Sequence, residues 1–452
     1  MPFFALTAVL VFLWARREFG DMAGLMAVAL FTTLPTVLAF SGMAYTDIPA
    51  VCMQLAAFFG FAIWLEKPTR RSSIWLGIVV GLALLSKMTT VLFFPAAAAG
   101  MFLCRWLIAE RRKSSETVST KKTLSGLAVA LAVAIVVLWG GYAFSVGHVQ
   151  ESMNLSPNTL PSFQHFPAPV RSIARTMIIK NWLIPAPALV KGAATIWSLN
   201  GVTPPAYLLG HLKSGGWWYF FLLGLAVKLP LPFLLLSLIG LIAAFLFARQ
   251  KKWTSLLPVT CASAVLVVTL PVKYNAGTRH VMVVLPLLAI VGGCGAEWLW
   301  QLTGRKRLWG KLVIAILLLW QAASSLSAGT DFLSYFNELA GRDPSRILVA
   351  GCDLDCGQDL FRLSQALQQR GIAHFSIAIW SSADLSRTNL PPFDILQPFQ
   401  PATGWVAVSM RALRVGDVFH STYPPGAFSW LDRYQPVAQV GKTIRLYYVP
   451  DN

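Results

Sequence analysis

A few charged and polar side chains interrupt long apolar stretches in the first 330 residues, and their types suit phosphate chemistry. Asp47 lies in the segment Ala44-Tyr45-Thr46-Asp47-Ile48-Pro49. The candidate partners of this carboxylate are Lys87, Lys228, Tyr274, Arg279 and His280. Together these side chains could bind a phosphorylated substrate, with the cations neutralising a phosphate leaving group. The carboxylate would act as a base toward a hydroxyl acceptor or as a ligand of a divalent metal ion.

Three of these residues also have a purely structural explanation. Asp47 lies where a loop starts a helix with Pro49 in its first turn, so it could cap free backbone N–H groups. Lys87 lies between two apolar runs and Lys228 lies within one, and a lone lysine near a helix end commonly extends to the membrane interface. The sequence leaves both explanations open, and for Asp47 both can hold at once.

A second group of candidates lies in the C-terminal part of the chain. Residues 351–360 read GCDLDCGQDL, between a predicted strand and a predicted helix, where α/β folds tend to bind ligands. Asp353 and Asp355 could coordinate a cation, or Asp355 could form a capping box with Gln358, next to Asp359. Cys352 and Cys356 could form a disulfide outside the cell, although a five-residue ring across such a turn need not meet the required geometry.

The composition indicates a membrane protein. Of the 452 residues, 56% are hydrophobic and 12% are charged, about half the roughly 25% found in soluble domains. These values exclude a soluble enzyme and a disordered chain, and six cysteines are too few for a disulfide scaffold. The net charge of +18 would indicate nucleic acid binding only in a soluble protein, because in a membrane protein the positions of charges matter more than their sum. We expect no nucleic acid partner.

Ten apolar runs predict ten membrane-spanning helices. A span needs about 20 residues to cross roughly 30 Å of hydrocarbon, and none of the runs alternates like a barrel strand. The runs are 2–15, 22–40, 48–65, 73–86, 88–104, 124–146, 217–247, 255–270, 280–300 and 309–327. The predicted fold is therefore an all-α polytopic membrane bundle over residues 1–329, followed by a small extracytoplasmic α/β domain over residues 330–452.

The short loops between the runs carry most of their basic residues on one side. Taken alternately, one class of loops holds eighteen Lys and Arg residues and the other class holds three. Because cytoplasmic loops are enriched in Lys and Arg, the first class should face the cytoplasm. Loop 147–216 and the tail 330–452 then lie outside a cytoplasmic (inner) membrane, on the same side as Asp47.

The two long outer segments differ in character. Between residues 171 and 182, basic residues share one side and apolar residues the other, which predicts a helix in the interface plane or one packed on the exported domain. The tail predicts a strand at 346–352, a helix at 358–370 and a strand at 375–380, together a βαβ unit. A further strand is predicted at 405–410, and a hairpin joins 437–440 to 443–449.

Several blocks of the sequence, taken in order, resemble a known family. They are 45–49, 77–87, 207–210, 215–221, 228–230, 277–280 and 333–338. They resemble the GT-C glycosyltransferases of the protein O-mannosyltransferase-like kind, the group that also contains aminoarabinose transferases of lipid A. The resemblance implies transfer of a sugar from a polyprenyl-phosphate carrier to a protein, lipid or glycan acceptor on the outer face. It also implies inversion at the sugar carbon and no organic cofactor.

The resemblance assigns roles to some residues and departs from the family at others. By matching position, Asp47 would lie near the donor phosphate or a metal ion, and Lys87, Arg279 and His280 would line the donor side. The family's principal catalytic carboxylate stands in a first outer loop, after a helix that this sequence lacks, so we expect an upstream helix. In the tail, the family reads DSNLDWGQDL where this chain reads GCDLDCGQDL.

Two other functions remain alternatives at this stage. One is a transporter or flippase for lipid-linked molecules, which would tend to have intramembrane charges and two related halves. Lys228 is the only charge well inside an apolar run, and the sequence has no evident internal repeat. The other alternative is an inactive, truncated membrane scaffold that presents the tail domain.

Overall fold

The computed structural model describes residues 1–112, 120–153, 168–202, 206–250, 253–304, 306–379, 384–416 and 424–451. The N-terminal half of the membrane bundle contains seven helices in these ranges. They are α1 (Pro2–Phe19), α2 (Asp21–Thr32), α3 (Pro35–Ser41), α4 (Asp47–Glu66), α5 (Arg70–Ser86), α6 (Thr90–Arg112) and α7 (Thr120–Gly141). The predicted end of the strand at 375–380 lies outside the described residues.

A long loop and the second half of the bundle follow along the chain. The loop contains α8 (Val149–Met153), α9 (Ala168–Ile179) and α10 (Pro187–Val202). The bundle is completed by α11 (Phe220–Lys228), α12 (Leu231–Gln250), α13 (Leu257–Thr269), α14 (Val284–Trp300) and α15 (Lys306–Ser327). All ten apolar runs coincide with helices. Among the described residues, five helices (α4, α6, α7, α12 and α15) are long and apolar enough to cross a membrane, or six if the bent pair α2 and α3 forms one span.

Two runs predicted as continuous helices are broken in the structure. α2 and α3 meet at an angle of 66°, and Pro35 begins the second of them. The run 217–247 is interrupted at Leu229 and Pro230, which separate α11 from α12. Proline cannot donate a backbone hydrogen bond and its ring clashes with the preceding turn, so it tends to break a helix interior. Lys228 is therefore the last residue of a short helix and not part of a long one.

α14 lies at the centre of the bundle, with nearly all its residues buried. It packs on α12 with the two backbones almost in contact. A Cβ atom on Gly240 would lie 1.8 Å from the carbonyl oxygen of Val291, and one on Gly295 would lie 2.6 Å from that of Leu236. Small residues allow such close approach between membrane helices. The segment that leads into α14, which carries Arg279 and His280, is thus attached to a tightly packed helix.

The two loop classes defined by charge lie at opposite ends of the bundle. α4 begins at Asp47 and ends at Glu66. At the Glu66 end, Arg17 forms an ion pair of 2.6 Å with Glu66, and the Thr254 hydroxyl donates to Glu18 Oε2 at 2.5 Å. These residues belong to the loops with many basic side chains, or border them, so the contacts agree with the predicted grouping.

The long loop contains two short two-stranded sheets beside its helices, and only the second of them is a hairpin. Strand β1 (Val146–His148) pairs with β2 (Leu183–Pro185), and β3 (Ala206–Leu208) pairs with β4 (His211–Lys213), both antiparallel. α9 forms where the amphipathic pattern predicted a helix. Its Ile178 is buried in a small cluster within the loop, whereas Ile173 on the same helix is 58% exposed. The apolar side of α9 is thus only partly covered in the structure.

The tail forms a small five-stranded sheet, as the α/β prediction requires. Its elements are α16 (Leu360–Gln369), β5 (Phe375–Ala378), β6 (Phe393–Ile395), β7 (Gly404–Ser409), α17 (Met410–Arg414), β8 (Ala438–Val440) and β9 (Ile444–Val449). The strand order is β6-β5-β7-β9-β8, with parallel pairs on both sides of β5 and antiparallel pairs around β9. The predicted helix, the strands near 375 and 405 and the terminal hairpin are confirmed.

The predicted strand at 346–352 is wrong, and with it the βαβ unit. Leu348 makes one isolated bridge to Leu208 of β3, outside the sheet. Leu348 and Val349 are buried, so their apolar character reflects packing between the tail, the long loop and the bundle. A short apolar run indicates burial but does not specify a partner strand. The prediction also missed β6, which is only three residues long.

Candidate functional site

Asp47 and Lys87 form an ion pair at one end of the bundle. Lys87 Nζ lies 2.5 Å from Asp47 Oδ1, and the two side chains are 19% and 4% exposed. Asp47 is the first residue of α4, and Lys87 follows the last residue of α5. The N-cap position of α4 belongs to Thr46, without a side-chain capping bond. The capping explanation of Asp47 is therefore wrong, because its carboxylate points to the turn between α5 and α6.

Arg279 and His280 belong to the same region. The Arg279 guanidinium carbon lies 5.5 Å from the centroid of the Tyr45 ring, two residues before Asp47. His280, the next residue, is half-buried, and Lys87 and Arg279 are charged groups near it. The Tyr274 ring meets the His280 ring edge-on, with centroids 5.9 Å apart. The structure thus brings Asp47, Lys87, Arg279, His280 and Tyr274 into one region, which we call the cation cluster.

Lys228 does not join the cation cluster, so its sequence-based grouping with the donor-phosphate residues needs correction. Its side chain is 2% exposed. The ammonium group donates to the carbonyl oxygens of Leu333, at 2.7 Å, and Asp353, at 2.6 Å, and lies 4.4 Å from the Phe336 ring centroid. Because two buried carbonyls already use this amine, its evident role is to hold the tail against the end of α11.

Asp353 attaches the tail to the cation cluster. Both its carboxylate oxygens accept the backbone N–H of Thr278, at 2.9 and 3.1 Å, and Oδ1 also accepts the Thr278 hydroxyl at 2.6 Å. Burial raises the pKa of Asp353, while Lys228 and these hydrogen bonds oppose that rise. Thr278 directly precedes Arg279. The carboxylate that the sequence offered as a cation ligand therefore fixes the backbone beside a basic residue.

The other tail-motif residues also make internal contacts. Burial raises the pKa of Asp355 to about 6, and its Oδ1 accepts the Gly357 N–H. The Gln358 amide donates to Ser334 Oγ and to the Leu354 carbonyl. Asp359 Oδ2 accepts three bonds from Lys442 and Thr443 in the β8–β9 turn. Asp359, not Asp355, occupies the N-cap position of α16, so the predicted capping box is wrong.

Cys352 and Cys356 form a disulfide, with their Cα atoms 4.8 Å apart. The Tyr45 hydroxyl oxygen lies 3.5 Å from Cys356 Sγ and 3.8 Å from Cys352 Sγ. Thus the short ring that the sequence left uncertain is closed, and it contacts the residue next to the cation cluster.

Sequence reasoning did not single out Tyr45, Thr278 or Asn337 as individual site residues, although all three lie in blocks used for the family resemblance. The Asn337 amide donates to the carbonyl oxygens of Ala226 and Leu229 at the break after α11, at 2.6 and 2.7 Å. Of the three, only Thr278 directly follows a glycine, Gly277, in the sequence, and this was the available signal. Among the described residues, no group of three or more His, Cys, Asp or Glu side chains could hold a metal ion.

Comparison with known proteins gives one family match, over the N-terminal part of the chain. Residues 3–139 match the family described as dolichyl-phosphate-mannose-protein mannosyltransferase. Over these residues the chain is similar to the GT-C glycosyltransferases, to which that family belongs. The matched segment includes α1 to α6 and most of α7, and it contains Tyr45, Asp47 and Lys87. The predicted family and the predicted enzyme class are confirmed at this level.

Solved structures give low similarity over nearly the whole chain. The structure entitled "Crystal Structure of ArnT from Cupriavidus metallidurans bound to Undecaprenyl phosphate" is 13% identical, with a TM-score of 0.45, and the alignment covers 98% of this chain and 82% of that one. The apo state of the same protein is 11% identical, with a TM-score of 0.40 and the same coverage. The search of curated proteins gives no match.

Proposed function

We propose that this protein is a membrane glycosyltransferase that moves a sugar from a polyprenyl-phosphate carrier to a protein, lipid or glycan acceptor. The observation that carries the proposal is the cation cluster at one end of the bundle, within a chain whose first part matches a lipid-phosphate-sugar transferase family. One similar structure, of ArnT from Cupriavidus metallidurans, has undecaprenyl phosphate bound, which is the class of carrier that we propose here.

The proposed reaction is an inverting displacement at the sugar carbon. The acceptor hydroxyl attacks, the bond from that carbon to the phosphate oxygen breaks, and the lipid phosphate leaves with an additional negative charge. Lys87 and Arg279 would stabilise this charge, since fixed cations act most strongly where charge develops in a poorly solvated site. Asp47 would accept the proton of the acceptor hydroxyl, and His280 and Tyr274 would line the donor side.

The proposed location follows from the distribution of basic loop residues. The end of the bundle that carries Asp47 and the tail would face the extracytoplasmic side of the cytoplasmic membrane, because the opposite end holds the loops rich in Lys and Arg. A polyprenyl-phosphate donor embedded in the outer leaflet could then reach the cation cluster laterally. The acceptor would come from the same side.

The proposal is tested by binding and by product analysis. Purified full-length protein in detergent should bind undecaprenyl phosphate more tightly than undecaprenol, which lacks the phosphate. Arg279→Ala should weaken only the phosphate form, by about 10- to 100-fold, because a hydrogen bond to a charged group contributes roughly 1.5–3 kcal/mol. Arg175 is an exposed residue of α9, so Arg175→Ala is the matched control and should bind like the wild type.

Cells that lack the protein supply the second measurement. Mass spectrometry of surface glycans should show a missing sugar that returns with the wild-type chain and with Arg175→Ala but not with Arg279→Ala. Equal binding of undecaprenyl phosphate and undecaprenol by the wild type, together with unchanged glycans, would contradict the proposal. Transport of lipid-linked sugar into vesicles without turnover would instead favour the transporter.

A further inference from the structure

The disulfide of the tail contacts Tyr45, whose ring lies against Arg279. Tyr45 approaches both sulfur atoms with its hydroxyl oxygen, at 3.5 and 3.8 Å, and its ring lies 5.5 Å from the Arg279 guanidinium carbon. Phe40 at the end of α3 meets the Tyr45 ring edge-on, with centroids 6.3 Å apart. One side chain therefore connects the tail, the α3–α4 corner and a basic residue of the cation cluster.

The same tail segment also holds Arg279 through its backbone. Asp353 lies inside the disulfide ring and accepts the Thr278 N–H and hydroxyl groups. Gly351, with φ of 49°, lies so close to the preceding segment that a Cβ atom would be 2.1 Å from the Ala276 carbonyl oxygen. The tail thus leaves no room for a side chain at residue 351, and it fixes residues 276–278 immediately before Arg279.

We infer that Tyr45 is a positioning residue for Arg279 and that the Cys352–Cys356 disulfide acts through it. The inference rests on the proposed function, in which Arg279 binds the donor phosphate. A free arginine side chain samples many rotamers, and ordering it reduces the affinity that its charge provides. The Tyr45 ring attracts the guanidinium group through its negative face, and the disulfide packs against Tyr45 and keeps that ring in place. Arg279 is thereby ordered before the phosphate arrives.

The first test compares lipids with and without a phosphate on the full-length protein in detergent. Tyr45→Leu should raise the Kd for undecaprenyl phosphate by about 5- to 10-fold, as expected for the loss of a cation–π contact, and leave the Kd for undecaprenol unchanged. Tyr45→Phe keeps the ring and should stay within about twofold of the wild type. Tyr448→Leu removes an exposed tyrosine of β9 that meets Trp405 edge-on, and it should leave both Kd values unchanged.

The second test asks whether the disulfide acts through Tyr45. Cys352→Ser/Cys356→Ser should raise the same Kd by about 3- to 10-fold, and combining it with Tyr45→Leu should add little, because coupled residues are not additive. Additive effects, or a Tyr45→Phe protein as weak as Tyr45→Leu, would overturn the inference. If the serine variant does not give monodisperse protein, folded wild type reduced with a phosphine, with reduction verified by mass, replaces it.

The two proposals fail in different ways. A wild-type protein that does not distinguish undecaprenyl phosphate from undecaprenol contradicts the proposed function. A wild type that distinguishes them, together with Tyr45→Leu and disulfide variants that bind like it, contradicts only the positioning role of Tyr45. Equal loss of affinity for both lipids in the variants would also overturn the positioning role, since it would indicate general disruption of the site.

Discussion

At the scale of single residues, the ion pair between Asp47 and Lys87 is the feature with the clearest energetic consequence. Asp47 is buried and Lys87 is mostly buried. Removing one partner of such a pair leaves a buried charge without compensation, which costs about 3–5 kcal/mol. Lys87→Gln should therefore lower the free energy of unfolding by ~3 kcal/mol in a denaturant titration in mixed micelles.

The double variant separates pairing from packing. Lys87→Gln/Asp47→Asn should lose less stability than Lys87→Gln alone, because neither charge is then left unpaired in a buried place. Arg387→Gln provides the control, since the ion pair of Arg387 with Asp384 is largely exposed and should contribute little to stability. If the double variant were less stable than both single variants, the ion pair would not be the main interaction at this position.

Asp355 should make the stability of the protein depend on pH. Burial raises its pKa to about 6 in the fold, above the ~3.9 of an unfolded aspartate, so the folded state favours the protonated form. This contribution is present in full below about pH 4 and is lost as pH rises toward about 6, a change of about 3 kcal/mol. Asp355→Asn stays neutral, so its stability advantage over the wild type should grow from pH 4 to pH 6. Parallel stability curves would contradict this assignment.

At the scale of elements, the break between α11 and α12 depends on one side chain of the tail connection. Pro230 interrupts the helix, and the carbonyl oxygens of Ala226 and Leu229 accept bonds from the Asn337 amide. An unsatisfied buried carbonyl costs about 1–3 kcal/mol. Asn337→Ala should therefore lower the thermal unfolding midpoint by several degrees.

The isosteric change to aspartate tests the hydrogen bonds directly. Aspartate has the same shape as asparagine, but its carboxylate oxygens cannot donate to the carbonyl oxygens of Ala226 and Leu229. Asn337→Asp should therefore be at least as unstable as Asn337→Ala. A protein with Asp at this position that unfolds like the wild type would show that shape, and not donation from the amide, stabilises the break. The measurement is a thermal unfolding curve of the detergent-solubilised protein.

At the scale of the whole molecule, the two ends of the bundle should face different compartments. Lys67 is exposed at the end of the bundle that holds the basic loops, and Arg342 is exposed where the chain enters the tail. In intact spheroplasts, a membrane-impermeant maleimide should label Arg342→Cys but not Lys67→Cys, and both should react after the membrane is opened. The wild type treated with the same maleimide is the control. It should show little labelling, because most of its cysteines are buried or in the disulfide. If only Lys67→Cys were labelled in intact spheroplasts, the protein would have the opposite orientation to the one proposed.

Much of the architecture follows from the sequence because its signals are local. Hydropathy located all ten helical runs, since the polar backbone must be satisfied within each segment in a membrane. Periodicity located α16, β5, β7 and the terminal hairpin. Charge separated the loops into two groups that lie at opposite ends of the bundle. Each of these inferences depends on neighbours along the chain, and none needs a distant contact.

The tertiary structure decided which polar residues meet. Asp47 and Lys87 are 40 residues apart, and Thr278 and Asp353 are 75 apart, so no local pattern could pair them. The sequence grouped Lys228 with the phosphate binders and offered Asp353 as a cation ligand, whereas folding uses both to attach the tail. The closure of the Cys352–Cys356 ring was likewise decided by packing against Tyr45 and residues 276–278. Residue type determines what a side chain can bind, but the partner it meets depends on how distant segments pack.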